Sequence, residues 1–209
     1  MGLIMAVCIV SFAYAERPIE ELPMYGGQHN PEVETNKGFS QSAAQLGWEY
    51  FYKGDVDTAI RRFNQAWMFD RENIDALWGF GVVMGARATQ EDPEHNLRES
   101  VRYLEMADSK SNDNYRLMVD LAFSCTLLGY FLKSNEKTAE ADQYFIQARK
   151  TFEKSERLGS TYPLLYSNWS VLEFYEGNYQ MAKTRLARAK DLGFKSDPQY
   201  EQDLENKLK

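Results

Sequence analysis

The chain has 209 residues, 44% of them hydrophobic and 14% aromatic, enough apolar surface for a buried core and too much for a disordered segment. Its formal net charge of −7, without a dense stripe of Lys and Arg, argues against nucleic acid as a partner, because neutralising phosphates needs clustered cations. Only six prolines occur, β-branched residues are sparse, and Ala, Leu, Glu, Lys, Gln and Arg fill long proline-free stretches, the composition of an all-α protein.

Residues 1–15 carry no charge, run apolar from Gly2 through Phe12 and end Ala13-Tyr14-Ala15. A hydrophobic core followed by a small-x-small site predicts a signal peptide cleaved before Glu16, and hence an exported, periplasmic or envelope-associated protein. The stretch is shorter than the roughly 20 apolar residues of a bilayer span, and it lacks the usual leading Lys or Arg. The alternative is an uncleaved N-terminal anchor. Cys8 is preceded by Met5-Ala6-Val7, which do not make a lipidation box, so cleavage leaves Cys125 as the lone cysteine and no intramolecular disulfide is expected. Residues 16–38 hold three prolines and the turn-rich run Tyr25-Gly26-Gly27-Gln28-His29-Asn30-Pro31, which predicts an extended linker. A sharper reading has Leu22, Met24 and Tyr25 docking on the domain that follows, capping or blocking it.

From residue 39 onward one pattern recurs. Ala43-Ala44-Gln45-Leu46-Gly47-Trp48-Glu49-Tyr50 is followed by Gly54-Asp55 and then Ala59, Phe63 and Ala66. The same frame returns with Leu77, Phe80, Gly81, Ser100, Leu104 and Ala107; with Met118, Leu121, Ala122, Ala148, Phe152 and Ser155; and with Tyr166, Trp169, Ser170, Ala182, Leu186 and Ala189. Small residues thus alternate with large ones at fixed intervals, as close helix crossings require.

This pattern resembles the tetratricopeptide repeat (TPR), in which positions 8 and 20 of a 34-residue unit are small and position 24 is large. The resemblance implies a right-handed solenoid of four helical hairpins over 39–209. Helices are expected at about 40–53, 56–70, 73–88, 93–109, 113–132, 136–158, 162–176 and 179–192, and a polar capping helix at 198–208. Asp92-Pro93 and Asp197-Pro198 are helix starts, with an N-cap and proline at the first position. Position 11 of the fourth repeat is Glu173, where an apolar residue is usual, and Arg71 stands where the first repeat should carry proline. Positions 8 and 20 lie 12 residues apart in the first and fourth repeats, 19 in the second and 26 in the third. Seven extra residues are nearly two whole helical turns, so one added turn per arm is expected in the second hairpin and two in the third.

Chemistry-bearing motifs are lacking. His29 and His95 lie apart and outside any zinc spacing, and Gly79, Gly81 and Gly85 fall inside a helical repeat, not after a strand. Cys125 occupies an inward position and reads as a structural thiol. The Asn168-Trp169-Ser170 sequon sits mid-helix. No catalytic residue, metal, cofactor or small-molecule substrate is therefore expected. The resemblance implies instead a concave groove built from helix-A positions 2, 5, 9, 12 and 13. These are Gln41, Ala44, Trp48, Phe51 and Tyr52; Asp75, Trp78, Val82, Gly85 and Ala86; Arg116, Val119, Phe123, Thr126 and Leu127; and Leu164, Ser167, Val171, Phe174 and Tyr175. Partner binding is expected on Trp48, Tyr52, Trp78, Val82, Arg116, Phe123, Val171 and Tyr175, while Phe51 and Phe174 equally suit packing between hairpins. TPR domains that grip acidic C-terminal peptides use Lys at position 5 and Asn at 9 of the first repeat; Ala44 and Trp48 stand there instead, so that mode should be absent. The expected function is a bacterial envelope scaffold that binds a polypeptide. The alternative is a homo-oligomer self-associating through Tyr130, Phe131, Leu132, Tyr144, Phe145 and Ile146 of the long third hairpin.

Overall fold

The computed structural model describes residues 17–27 and 33–209. The leader at 1–15 with Cys8, the cleavage point before Glu16, and His29 fall outside the described residues. Among those described, nine α-helices follow in order: α1 (Lys37–Tyr52), α2 (Val56–Phe69), α3 (Ile74–Arg87), α4 (Pro93–Lys110), α5 (Tyr115–Ser134), α6 (Thr138–Gly159), α7 (Pro163–Glu176), α8 (Tyr179–Asp191) and α9 (Pro198–Lys207). The first eight pair as successive hairpins, each packed on the next, and α9 closes the array against α8. Sequence-local chemistry sets the starts. Asn36, Asp55, Asn73, Asp92, Asn114 and Asp197 each accept a hydrogen bond from a first-turn backbone N–H, a cap worth about 1 kcal/mol apiece.

The small positions of the repeat are where helices touch. A Cβ on Gly47 would lie 2.5–2.9 Å from the Phe63 ring, and one on Gly79, from the next hairpin, would meet the same ring. Phe63 thus fills the gap between two hairpins and is wholly buried. Gly81 faces Leu104, and Ser100 Oγ donates to the Gly81 carbonyl at 2.7 Å; Ser170 Oγ donates likewise to Ala182 at 2.8 Å. Glu173, the apparent misfit, is buried but accepts from Arg149 at 2.7 Å and from Asn178 at 2.9 Å, so its charge is paired.

The third hairpin has the long arms that its spacing predicts, with 20 and 22 residues. Its extension repeats the contact code seven residues along each arm. Ala122, Ala148 and Phe152 form the repeat crossing, and Gly129, Ala141 and Phe145 form a second one beyond it. The second hairpin departs from expectation. α3 keeps 14 residues, and the excess goes into α4, with 18, and into the connection 88–92. A helix extending α3 would displace the N-terminal segment, whose Arg17 pairs with Glu91 at 2.6 Å in that connection.

That segment corrects the expectation of an extended linker over 16–38. Residues 17–27 form two short 3-10 turns, Ile19–Glu21 and Pro23–Gly27, laid against α2. Asn64, fully buried on α2, donates to the carbonyls of Glu20 (2.9 Å) and Leu22 (2.8 Å) and accepts from the Tyr25 N–H at 3.3 Å. Buried Arg87 donates to the Glu21 carbonyl at 2.7 Å and to Asp57 at 2.8 Å, and Glu21 pairs with Arg61. Met24 packs on the core of the first two hairpins. Helix α1 then starts at Lys37, within the stretch read as linker.

Candidate functional site

One face of the first helix of each hairpin remains open to solvent. On α5 the open positions are Arg116, Asp120, Phe123, Leu127 and Tyr130, a stripe at the i, i+4, i+7, i+11 spacing of one helical face. Val119 and Thr126, expected in the groove, are fully buried, as is Ala44 on α1, and Ser167 on α7 is nearly so. These side chains sit where the neighbouring hairpin packs, so the groove register lies one residue further along at those positions, on Gln45, Asp120 and Asn168.

Of the expected binding residues, Trp48, Tyr52 and Trp78 come together. The rings of Trp48 and Trp78 meet edge-on at 5.1 Å, and Tyr52 stacks on Trp48 at 6.0 Å. Tyr52 is 80% exposed. Trp48 also touches core Phe63 at 5.2 Å, and Trp78 packs on both main core clusters, so each tryptophan is half structural. Val82 is half-buried beside them. Arg116 is exposed over Tyr115 and Tyr162, at 5.8 and 5.4 Å from their centroids. Phe123, Val171 and Tyr175 line a separate cleft of about 520 Å³, closed on its far side by Phe194, Asp197, Tyr200 and Asp203. Tyr175 is stacked on Tyr130 at 3.9 Å. Phe51 sits against the core of the first two hairpins, and Phe174 packs on Tyr179 and Tyr200 at 5.5 and 5.6 Å while also lining the cleft. Trp48, Tyr52 and Trp78 thus form one aromatic patch, and Phe123, Val171 and Tyr175 another.

No protein-family model matches the chain, and no curated protein sequence matches it. Among solved structures, it is similar to a thermophilic TPR protein from Thermus thermophilus, with a TM-score of 0.63 over 74% of each chain at 16% identity. The fold is a TPR solenoid.

Within this TPR solenoid the residue that the repeat positions overlooked is Asp120. It accepts the Trp78 indole N–H at 2.7 Å, and burial pushes its carboxyl up to about 6 while that hydrogen bond pulls the other way. Tyr162, in the turn before α7, lies close by. Burial raises its phenol to about 12, with the Asp120 charge adding to the shift. The available signal was compositional: Asp120 is the sole acidic residue in the sequence of α5. His95 is exposed in the first turn of α4, and Cys125 is fully buried with its thiol pushed up by desolvation.

Proposed function

We propose that this chain is a non-catalytic interaction scaffold of the bacterial cell envelope, gripping a polypeptide segment along its concave aromatic face. The TPR fold supports protein partners in general. The observation that favours this face is Tyr52, a large ring left mostly in water beside Trp48 and Trp78, with its plane stacked along Trp48. Rigid aromatic rings lose little entropy on binding and dominate interface energetics. The strap at 17–27 is bonded to α2, Arg87 and Glu91.

Site-specific photo-crosslinking tests the reading. A benzophenone side chain placed at Tyr52 or Tyr175 should give adducts with an envelope protein, whereas one at exposed Ile146 or Met181 should not. Adducts confined to 146 and 181 would move the binding surface elsewhere. For the envelope address, the exported chain should begin at Glu16 by intact mass, and retention of residues 1–15 would favour an anchor.

Self-association finds little to use in the third hairpin. Leu132 and Phe145 are buried, Phe131 and Tyr144 pack on the core, and Tyr130 stacks on Tyr175, leaving Ile146 as the one of the six without such packing among the described residues. Gel filtration should accordingly give a monomer.

A further inference from the structure

Asp120 sits at the floor of the N-terminal patch without a counter-charge among the described residues. The groups that face it are neutral: the Trp78 indole at 2.7 Å and, nearby, the Tyr162 phenol. Arg116, four residues earlier on the same helix, has the spacing of an internal ion pair. Its guanidinium nevertheless turns to the Tyr115 and Tyr162 rings, with Nε 3.4 Å from the Tyr115 hydroxyl. A carboxylate that is crowded by protein and lacks a cation is unfavourable in the free chain. The same arrangement favours any ligand that brings a positive charge. Aromatic rings surround it: Trp78 presents its N–H edge and meets Trp48 beyond, Tyr162 lies within electrostatic reach, and Tyr52 is close enough to Arg116 and Tyr162 to influence both. The second patch adds Asp197 and Asp203 to its lining, and the chain as a whole is acidic.

We propose that Asp120 floors a lysine subsite: a partner segment lying in the groove sets a lysine ammonium on the free carboxylate oxygen, with its aliphatic stem along the Trp78 and Tyr162 rings. The assignment rests on the groove reading above and deepens it. Arginine is the poorer fit, because a bidentate fork would have to share Oδ2 with the Trp78 N–H. A compact ammonium needs one oxygen, while the four-carbon stem covers apolar surface. The partner is therefore a basic, apolar segment, the opposite of the acidic C-terminal peptides that Lys-Asn clamps hold.

Panning a random-peptide phage library on the full chain, in parallel with Tyr52→Ala and Asp120→Asn, tests this. Asn keeps the acceptor for Trp78 while removing the charge, so the fold should persist, which circular dichroism checks. Clones that bind the wild type and are lost on Tyr52→Ala should share a lysine at one fixed internal position, and that preference should vanish on Asp120→Asn while the apolar flanks survive. For one such peptide, replacing the lysine by norleucine should weaken wild-type binding about tenfold and leave Asp120→Asn binding nearly unchanged, as expected for a charge-assisted contact. Groove-dependent clones without a fixed lysine, or with arginine equally favoured there, overturn the lysine subsite and leave the groove standing. Absence of any Tyr52-dependent clone overturns both.

Discussion

Because burial raises the Asp120 carboxyl from 3.8 to about 6, the folded chain keeps a proton across that interval that the unfolded chain has already released. Stability therefore falls as pH rises through the interval, and the loss persists above it. After allowance for its partial exposure the cost is on the order of 1–2 kcal/mol at neutral pH. Asp120→Asn should accordingly raise the melting temperature by roughly 2–6 °C at neutral pH and by almost nothing well below pH 4. An equal shift at both pH values would mean that the effect is not electrostatic. Cys125 makes the complementary case. Wholly buried, with its thiolate disfavoured, it should resist a thiol reagent in the native protein and react in denaturant; fast native labelling would contradict its inward placement. Cys125 was legible in the sequence because its repeat position dictates packing. Asp120 was not, because position 5 in this solenoid is occupied by Ala44, Val119 and Ser167 under the neighbouring hairpin, which hands the open face to the next residue.

At the scale of elements, helix number and order could be read from the spacing of small and large residues, since each hairpin crossing depends on a few positions within it. The third hairpin followed that arithmetic because Gly129, Ala141 and Phe145 duplicate the crossing one step on. Deleting seven residues from each arm, 128–134 and 137–143, should thus leave a helical, cooperatively melting protein of lower stability, since Leu128, Leu132 and Ala141 are lost from the core. A molten product would show that the extension is indispensable. In the second hairpin the excess lengthens α4 and the connection instead of α3, and the strap is tied to Glu91 in that connection and to Arg87 at the end of α3. Left-handed backbone at Met24 and Tyr25, unfavourable for side chains larger than glycine, is held by the Asn64 hydrogen bonds. Asn64→Ala should loosen this strap, costing on the order of 1–3 kcal/mol, and hydrogen exchange at the Tyr25 amide, which also donates to the Leu22 carbonyl at 3.0 Å, should speed up. Unchanged exchange there would mean that the local turn bond to Leu22 and Met24 packing suffice.

Over the whole molecule, the stacking of the hairpins decides which residues of different repeats lie near one another. It brings Tyr52 of the first hairpin within electrostatic range of Arg116 and Tyr162, more than 60 residues away in sequence, and it turns α9 onto the second patch. Repeat positions nominate residues one helix at a time, which is why the ring cluster of Trp48, Tyr52 and Trp78 and the cleft lining of Phe123, Val171 and Tyr175 were legible only residue by residue. The partnership of Trp78 with Asp120 and Tyr162, and the closing of the second cleft by Tyr200, depend on how hairpins stack and have no local signature. The four indole N–H signals offer the most direct test of the central claim that partners bind the concave face. Trp48 and Trp78 line it, Trp67 lies on α2 beside Arg71, and Trp169 is buried beneath Arg185. Titrating the nitrogen-15-labelled protein with a panned peptide should shift the Trp48 and Trp78 signals and leave those of Trp67 and Trp169 in place. Movement of Trp67 or Trp169 with Trp48 and Trp78 unmoved would contradict the account.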